Sequence, residues 1–168
     1  MKQLILSVAT LVTITACGQG DKSQRQSPPA QASETIGSGA VITIDYSQPS
    51  VKGRKIGSEI APYGKVWRTG ANEATVFEIS KDVKVEGKTL AAGKYGLYSV
   101  PGEKEWVIIF NKTWKQWGTQ YTEADDALRL TVKADNTSSF TEKLTFAVAK
   151  NGNVSLMWGD VQVDFKVQ

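Results

Sequence analysis

Residues 144–167, LTFAVAKNGNVSLMWGDVQVDFKV, carry apolar side chains at every second position on both sides of one turn signal. Leu144, Phe146 and Val148 lead into Asn151-Gly152, and Val154, Leu156 and Trp158 follow. Successive side chains of a strand point to opposite faces, so a period of two marks a strand with one buried face. Asn-Gly tolerates the left-handed backbone of a tight hairpin, which makes this pair the strongest short hairpin signal in the chain. Gly159-Asp160 is then expected to turn the chain again, into Val161, Val163, Phe165 and Val167.

The same period extends toward the amino end. Ile42, Ile44 and Tyr46 share a face, as do Thr75, Phe77 and Ile79. Val83 and Val85 run into Glu86-Gly87, a tight-turn candidate before Lys88-Thr89-Leu90. Tyr95, Leu97 and Ser99 oppose Gly96, Tyr98 and Val100, and Leu128, Leu130 and Val132 form a further stripe. Pro101-Gly102-Glu103-Lys104-Glu105 reads as a turn, because proline presets φ and glycine supplies the unusual φ that some turns need. Trp106-Val107-Ile108-Ile109-Phe110 is apolar throughout, the pattern of a central strand covered on both faces. Only 121–127 could hold a helical turn, with Thr122 as its N-cap. The prediction is an all-β, antiparallel β-sandwich of about eight or nine strands, with a closed β-barrel as the alternative.

The amino end carries a different message. Lys2 precedes a short apolar stretch that ends in Ala16-Cys17, and Cys17 is the sole cysteine of the chain. A basic start, about a dozen apolar residues and a small residue before a thiol are the marks of a lipoprotein signal peptide. The stretch is shorter than the roughly 20 residues a spanning helix needs. Residues 1–16 are therefore expected to be removed, and Cys17 to carry acyl chains such as palmitate that hold the protein on a membrane. Gly18-Gln19 lacks the aspartate associated with inner-membrane retention, so the expected address is the outer membrane of a bacterial envelope. Residues 17–40, rich in Gln, Ser, Gly, Pro and Ala, are expected to form a disordered tether with Ile36 as its one large aliphatic side chain. Flexible-coil statistics give that tether a span on the order of 25–30 Å. The folded domain is then 41–168, and all 5 Trp, 5 Tyr and 5 Phe lie in it.

Composition removes many chemistries. There is no histidine, so Ser-His-Asp hydrolysis, Cys-His proteolysis and the common zinc sites have no imidazole to work with. No phosphate-cradling glycine loop occurs. The formal charge of +3 falls to +2 once Lys2 leaves, and bases are interleaved with acids, so no basic stripe suits nucleic acid. Neither a cofactor nor a metal is expected. Paired carboxylates could still drive a glycosidase, with Glu59, Glu73, Asp125 and Asp126 as candidates by residue type. Asp125-Asp126 could contribute to a calcium site, although the regular EF-hand spacing is missing.

The most unusual run is Pro62-Tyr63-Gly64-Lys65-Val66-Trp67-Arg68-Thr69-Gly70-Ala71-Asn72-Glu73-Ala74-Thr75. Trp67 could offer a flat face to a sugar ring while Arg68, Asn72 and Glu73 supply directional hydrogen bonds. The alternative is that Trp67 fills the core and Arg68 pairs with Glu73. Trp114 and Trp117 form a second candidate, either exposed for binding or plugging one end of the fold. Arg54 completes the set of ligand-binding candidates.

Taken together, Tyr46-Ser47-Gln48-Pro49-Ser50-Val51-Lys52-Gly53-Arg54, the run from Pro62 to Thr75, Ala91-Ala92-Gly93-Lys94-Tyr95, and Trp106 to Asn111 resemble domain-of-unknown-function family 2911 across essentially all of 41–168. The resemblance implies an exported bacterial protein, often a lipoprotein, and carries over no catalytic residue. One departure lies at Ile56-Gly57, where an expected bulky residue is missing and looser packing follows. The leading expectation is a non-catalytic module that binds a glycan, another ligand or an envelope protein. A carboxylate-dependent envelope hydrolase and a purely structural envelope component are the alternatives.

Overall fold

The computed structural model describes residues 21–168, so the expected signal peptide and Cys17 lie outside the described residues. Nine strands follow one another: β1 (Pro29–Thr35), β2 (Val41–Ser47), β3 (Thr75–Ile79), β4 (Val83–Val85), β5 (Lys88–Leu90), β6 (Gly93–Val100), β7 (Glu105–Asn111), β8 (Asp126–Val148) and β9 (Asn153–Lys166). Seven build one antiparallel sheet in the order β1-β2-β3-β6-β7-β8-β9, while β4 and β5 pair as a separate hairpin. The far half of β8 curls back onto the end of β2. There Leu144 N–H donates to the Pro49 carbonyl at 3.0 Å and Val51 N–H to the Glu142 carbonyl at 2.9 Å. The chain is thus all-β and antiparallel as expected, and of the two arrangements the sheet takes the barrel form, nearly closed.

The strand that closes the barrel is one that the alternation divides in two. Leu128 to Val132 and Leu144 to Val148 are opposite ends of the 23-residue β8. Its pairing with β9 slips between the Asn136↔Val161 and Thr141↔Gly159 partners. At the same place the buried positions of β9 change from Val154, Leu156 and Trp158 to Val163 and Phe165, a phase that Val167 continues just past the strand. A one-residue change of phase swaps the faces of a strand and must be absorbed somewhere. Gly159, at φ 62°, absorbs it within β9, so Gly159-Asp160 bends a continuous strand and is not the turn its composition suggests. The three other turn signals hold: Asn151-Gly152 closes the β8–β9 hairpin, Glu86-Gly87 the β4–β5 hairpin, and Pro101-Gly102 lies in the connection between β6 and β7.

The region expected to be a tether is ordered from residue 21, and its second half belongs to the barrel. β1 pairs with β2 along its whole length, from Pro29↔Ser47 to Thr35↔Val41. Ala30 and Ala32 pack against the core, Gln31 Nε2 donates to Asp45 at 2.7 Å, and Ile36 (3% exposed) and Ala40 are buried. Two alanines give too little hydrophobicity to mark a strand; the ladder of backbone hydrogen bonds and one isoleucine anchor supply the rest.

The core is aromatic. Trp67 stacks on Trp158 with centroids 5.2 Å apart and planes 7° apart, and meets Trp106 edge-on at 6.0 Å. Phe77, Phe110 and Phe165 form a second cluster. Full burial of a side chain of this size contributes about 1.5–3 kcal/mol. β7 is covered on both sides as expected: Trp106, Ile108 and Phe110 face the barrel interior, and Ile109 packs outward against Tyr98 and Ala74. Residues 123–125 form a 3-10 turn, but Thr122 caps it without a side-chain hydrogen bond. At Ile56-Gly57 the ring of Tyr63 lies directly over Gly57, filling the space expected to be loose.

Candidate functional site

The loop 48–74 between β2 and β3 carries most of the candidate residues, and it is held under strain. Among the described residues, Lys52, Ala61, Thr69 and Asn72 lie in this loop with φ between 44° and 61°, and the one other non-glycine in that region is Glu86. Side chains other than glycine resist this conformation, so surrounding contacts must impose it. Trp67 exchanges both backbone hydrogen bonds with Ser99, at 2.7 and 2.9 Å. The Thr69 hydroxyl donates to Ser99 Oγ at 2.9 Å, and the Thr75 hydroxyl donates to the Thr69 carbonyl at 3.0 Å. Trp67, partly buried, therefore packs one face against the core beneath this loop.

Arg68 and Glu73 do not pair with each other. The Glu73 carboxylate accepts from Arg25 at 2.7 Å and lies 3.2 Å from the Lys22 ammonium. Asn72 Nδ2 donates to the Ser27 carbonyl at 3.1 Å and to Ser47 Oγ at 3.2 Å. Residues 21–28 thus lie as a strap across the loop. Hydrogen bonding from Arg25 is the main reason the Glu73 carboxyl is pushed down to about 2 from its ordinary 4.5, with Lys22 adding to it. Because the folded value is the lower one, the strap's attachment is complete above pH 4.5 and is lost as pH falls from there toward 2. Glu73→Gln is expected to cost about 1 kcal/mol or less at pH 7, since these side chains are 33–55% exposed. The difference in unfolding free energy between wild type and variant, followed by denaturant titration, should shrink over that pH interval. A difference that stays constant with pH would exclude the ion pair as its source.

Residues 112–121 pack beside the strap. Gly118 N–H donates to the Asn72 carbonyl at 3.0 Å, and Ala74 N–H to the Gln116 carbonyl at 3.1 Å. Trp114 is half-buried, with the Lys94 ammonium 5.3 Å above its ring, and with Ala74 and Val76 it lines an apolar depression of about 330 Å³. Trp117 is 49% exposed. The pair lies on the outer wall and does not plug the barrel end.

Two candidates converge on one cavity. Arg54 and Arg68 line a space of about 410 Å³ together with Gln26, Ser27, Pro49, Ser50 and Lys52. Arg54 is oriented by hydrogen bonds to the carbonyls of Val51 (3.1 Å) and Ser50 (2.7 Å). Arg68 is half-buried, and its stem passes so close to Gly118 that any Cβ there would overlap it. Burial pushes the Arg68 pKa down, yet an arginine stays charged at neutral pH. The strap residues and Lys52 were beyond sequence reasoning: Gln26 and Ser27 sit in a stretch with no apolar pattern, and the convergence exists only once β1 is paired. A wider cavity of about 700 Å³ lies beside Arg54, between the loop, the bend of β8 and Gly159, with bases and acids mixed along its walls.

The candidate acids are each occupied locally. Glu59 accepts from the Lys55 backbone N–H at 2.8 Å, and Asp125 from the Thr113 hydroxyl at 2.8 Å. Asp126 accepts from Asn111 at 2.8 Å and from the Tyr121 hydroxyl at 2.6 Å; burial and this contact raise the tyrosine's pKa. The four carboxylates thus serve four separate sets of partners. Among the described residues no group of three or more acidic side chains is placed to hold a metal ion.

No curated protein and no solved structure shows significant similarity to the chain. A family model does match, described as a protein of unknown function, DUF2911, over residues 27–167, a span that takes in every strand from β1 to β9. The start of that match inside the strap agrees with a folded unit that includes β1. The chain belongs to the DUF2911 family of proteins of unknown function.

Proposed function

We propose that this protein is a non-catalytic, lipid-anchored ligand-binding module of a bacterial cell envelope, tethered through Cys17 to the outer membrane. The observation that carries the binding reading is the cavity on which Arg54 and Arg68 converge, walled by the strap on one side and the strained loop on the other. The separate engagement of Glu59, Glu73, Asp125 and Asp126 ranks a carboxylate-dependent hydrolase below it, since general acid and base must flank one cleft. The strap is attached from Lys22 onward, and only three residues separate Cys17 from Asp21. At full extension the four steps from Cys17 to Asp21 reach roughly 14 Å, so an acylated Cys17 would hold the barrel close to the lipid surface.

Anchoring is tested by fractionating cells that make the wild type or Cys17→Ser. The wild type is expected in the membrane pellet and the variant in the soluble exported fraction. A serine variant that still sediments with membranes overturns the anchor. The binding half fails if no small ligand of any charge class perturbs the backbone amides around the cavity.

A further inference from the structure

Resting on that binding reading and naming its chemistry, we propose that the cavity between Lys52, Arg54 and Arg68 is a phosphate-binding site. Three cationic side chains line it, and none of its seven lining residues is acidic. Arg68 takes part in no ion pair among the described residues, and its Nε is fully buried without a hydrogen-bond acceptor. A cation with no partner carboxylate is available to an anion brought in from outside. The contact with Gly118 clamps the Arg68 stem, so the donor is held in place before any ligand arrives. Arg54 spends Nε and one Nη on neutral carbonyl oxygens, which orients the guanidinium without cancelling its charge.

Two nearby carboxylates already accept hydrogen bonds from the protein. Glu142 accepts from the Lys52 backbone N–H at 2.9 Å, and Glu73 binds Arg25 and Lys22. Ser27 and Ser50 also line the wall, and a volume of about 410 Å³ suits a small molecule. Several cations around one space, with no acidic residue in its wall, match a group with about two negative charges and acceptors in several directions, as a phosphate monoester has. The group could belong to a soluble ligand or to a lipid headgroup.

The test uses the full chain in a neutral detergent at low ionic strength, titrated with inorganic phosphate while the amides of Ser27, Ser50, Lys52 and Arg68 are followed by NMR. Saturable shifts are expected. Arg68→Gln should weaken binding roughly tenfold or more, and Lys52→Gln several-fold, as charge-assisted hydrogen bonds are lost. Lys150→Gln, in the β8–β9 turn, should bind as the wild type does. Lys52 is exposed, so its variant remains informative if Arg68→Gln fails to fold. Competition by phosphatidic acid vesicles but not phosphatidylcholine vesicles supports a lipid headgroup as the source; phosphate binding without such competition supports a soluble phosphate ligand. Phosphate binding unaffected by both substitutions overturns the site. An uncharged disaccharide that shifts these amides while phosphate does not overturns the phosphate assignment and leaves the binding module standing. Silence from both ligands overturns the phosphate site, and the binding reading falls with it once cationic ligands also leave these amides unmoved.

Discussion

Trp158→Ala is expected to lower the unfolding free energy by about 3–5 kcal/mol, the usual cost of removing a large aromatic side chain from a core. Trp158 is 2% exposed and lies flat against Trp67, which in turn meets Trp106 edge-on. Its loss leaves a void on the inner side of the loop 48–74 and removes the surface that holds Trp67. The strained backbone at Thr69 and Asn72 would then lose part of what enforces it. Trp158→Phe should be milder, below about 2 kcal/mol, because it keeps an aromatic face and removes an indole N–H that has no acceptor among the described residues. Urea unfolding of the three proteins provides the check. An alanine variant within 1 kcal/mol of wild type would show that the stack contributes little, and would return Trp67 to consideration as a ligand platform.

Gly152→Ala should be comparably damaging for a different reason. Gly152 has φ 85°, and a Cβ on it would overlap the Val167 carbonyl oxygen. Neither side can retreat, because Val167 N–H donates to the Gly152 carbonyl at 2.8 Å and Gly152 N–H to Ala149 at 2.7 Å. Left-handed backbone costs about 1–2 kcal/mol for an L-residue, and overpacking typically adds about 1–3 kcal/mol. The expected sum is about 2–5 kcal/mol. Gly53→Ala is the control, since φ is 69° there but nothing lies within 4 Å of the new methyl group. It should show the backbone cost alone, about 1–2 kcal/mol. Thermal unfolding distinguishes the two: equal losses would mean that the contact with Val167 gives way easily.

Most of the strands were legible because they bury one face with large side chains. Ile42, Ile44 and Tyr46, or Leu144, Phe146 and Val148, reveal their direction by alternation alone. β1 was not legible, because its inner face is Ala30 and Ala32 and its stability comes from pairing with β2. Gly159-Asp160 was ambiguous for a related reason. A change of phase in the alternation requires an irregularity, but a bulge and a turn satisfy it equally until the partner strand is known.

The candidate site was half legible. Arg54, Arg68, Asn72 and Glu73 stood out by residue type in an unusual loop, yet their partners are remote in sequence. Glu73 is bonded to Arg25, 48 positions away, and Asn72 to Ser27, 45 positions away. Trp67 illustrates the converse: its chemistry suits a sugar platform, and only the position of Trp158 commits it to the core.

By itself the sequence determined an all-β chain, its hairpin at Asn151-Gly152, the doubly covered β7, and the absence of imidazole chemistry, because periodicity and composition are local properties that no folding partner can alter. Barrel closure by β8, the recruitment of 29–40 into the fold, the strap on Glu73 and the meeting of Lys52, Arg54 and Arg68 were decided by tertiary structure. Each depends on which backbone edges and charges lie within hydrogen-bonding distance, and that distance is set by contacts between segments tens of residues apart.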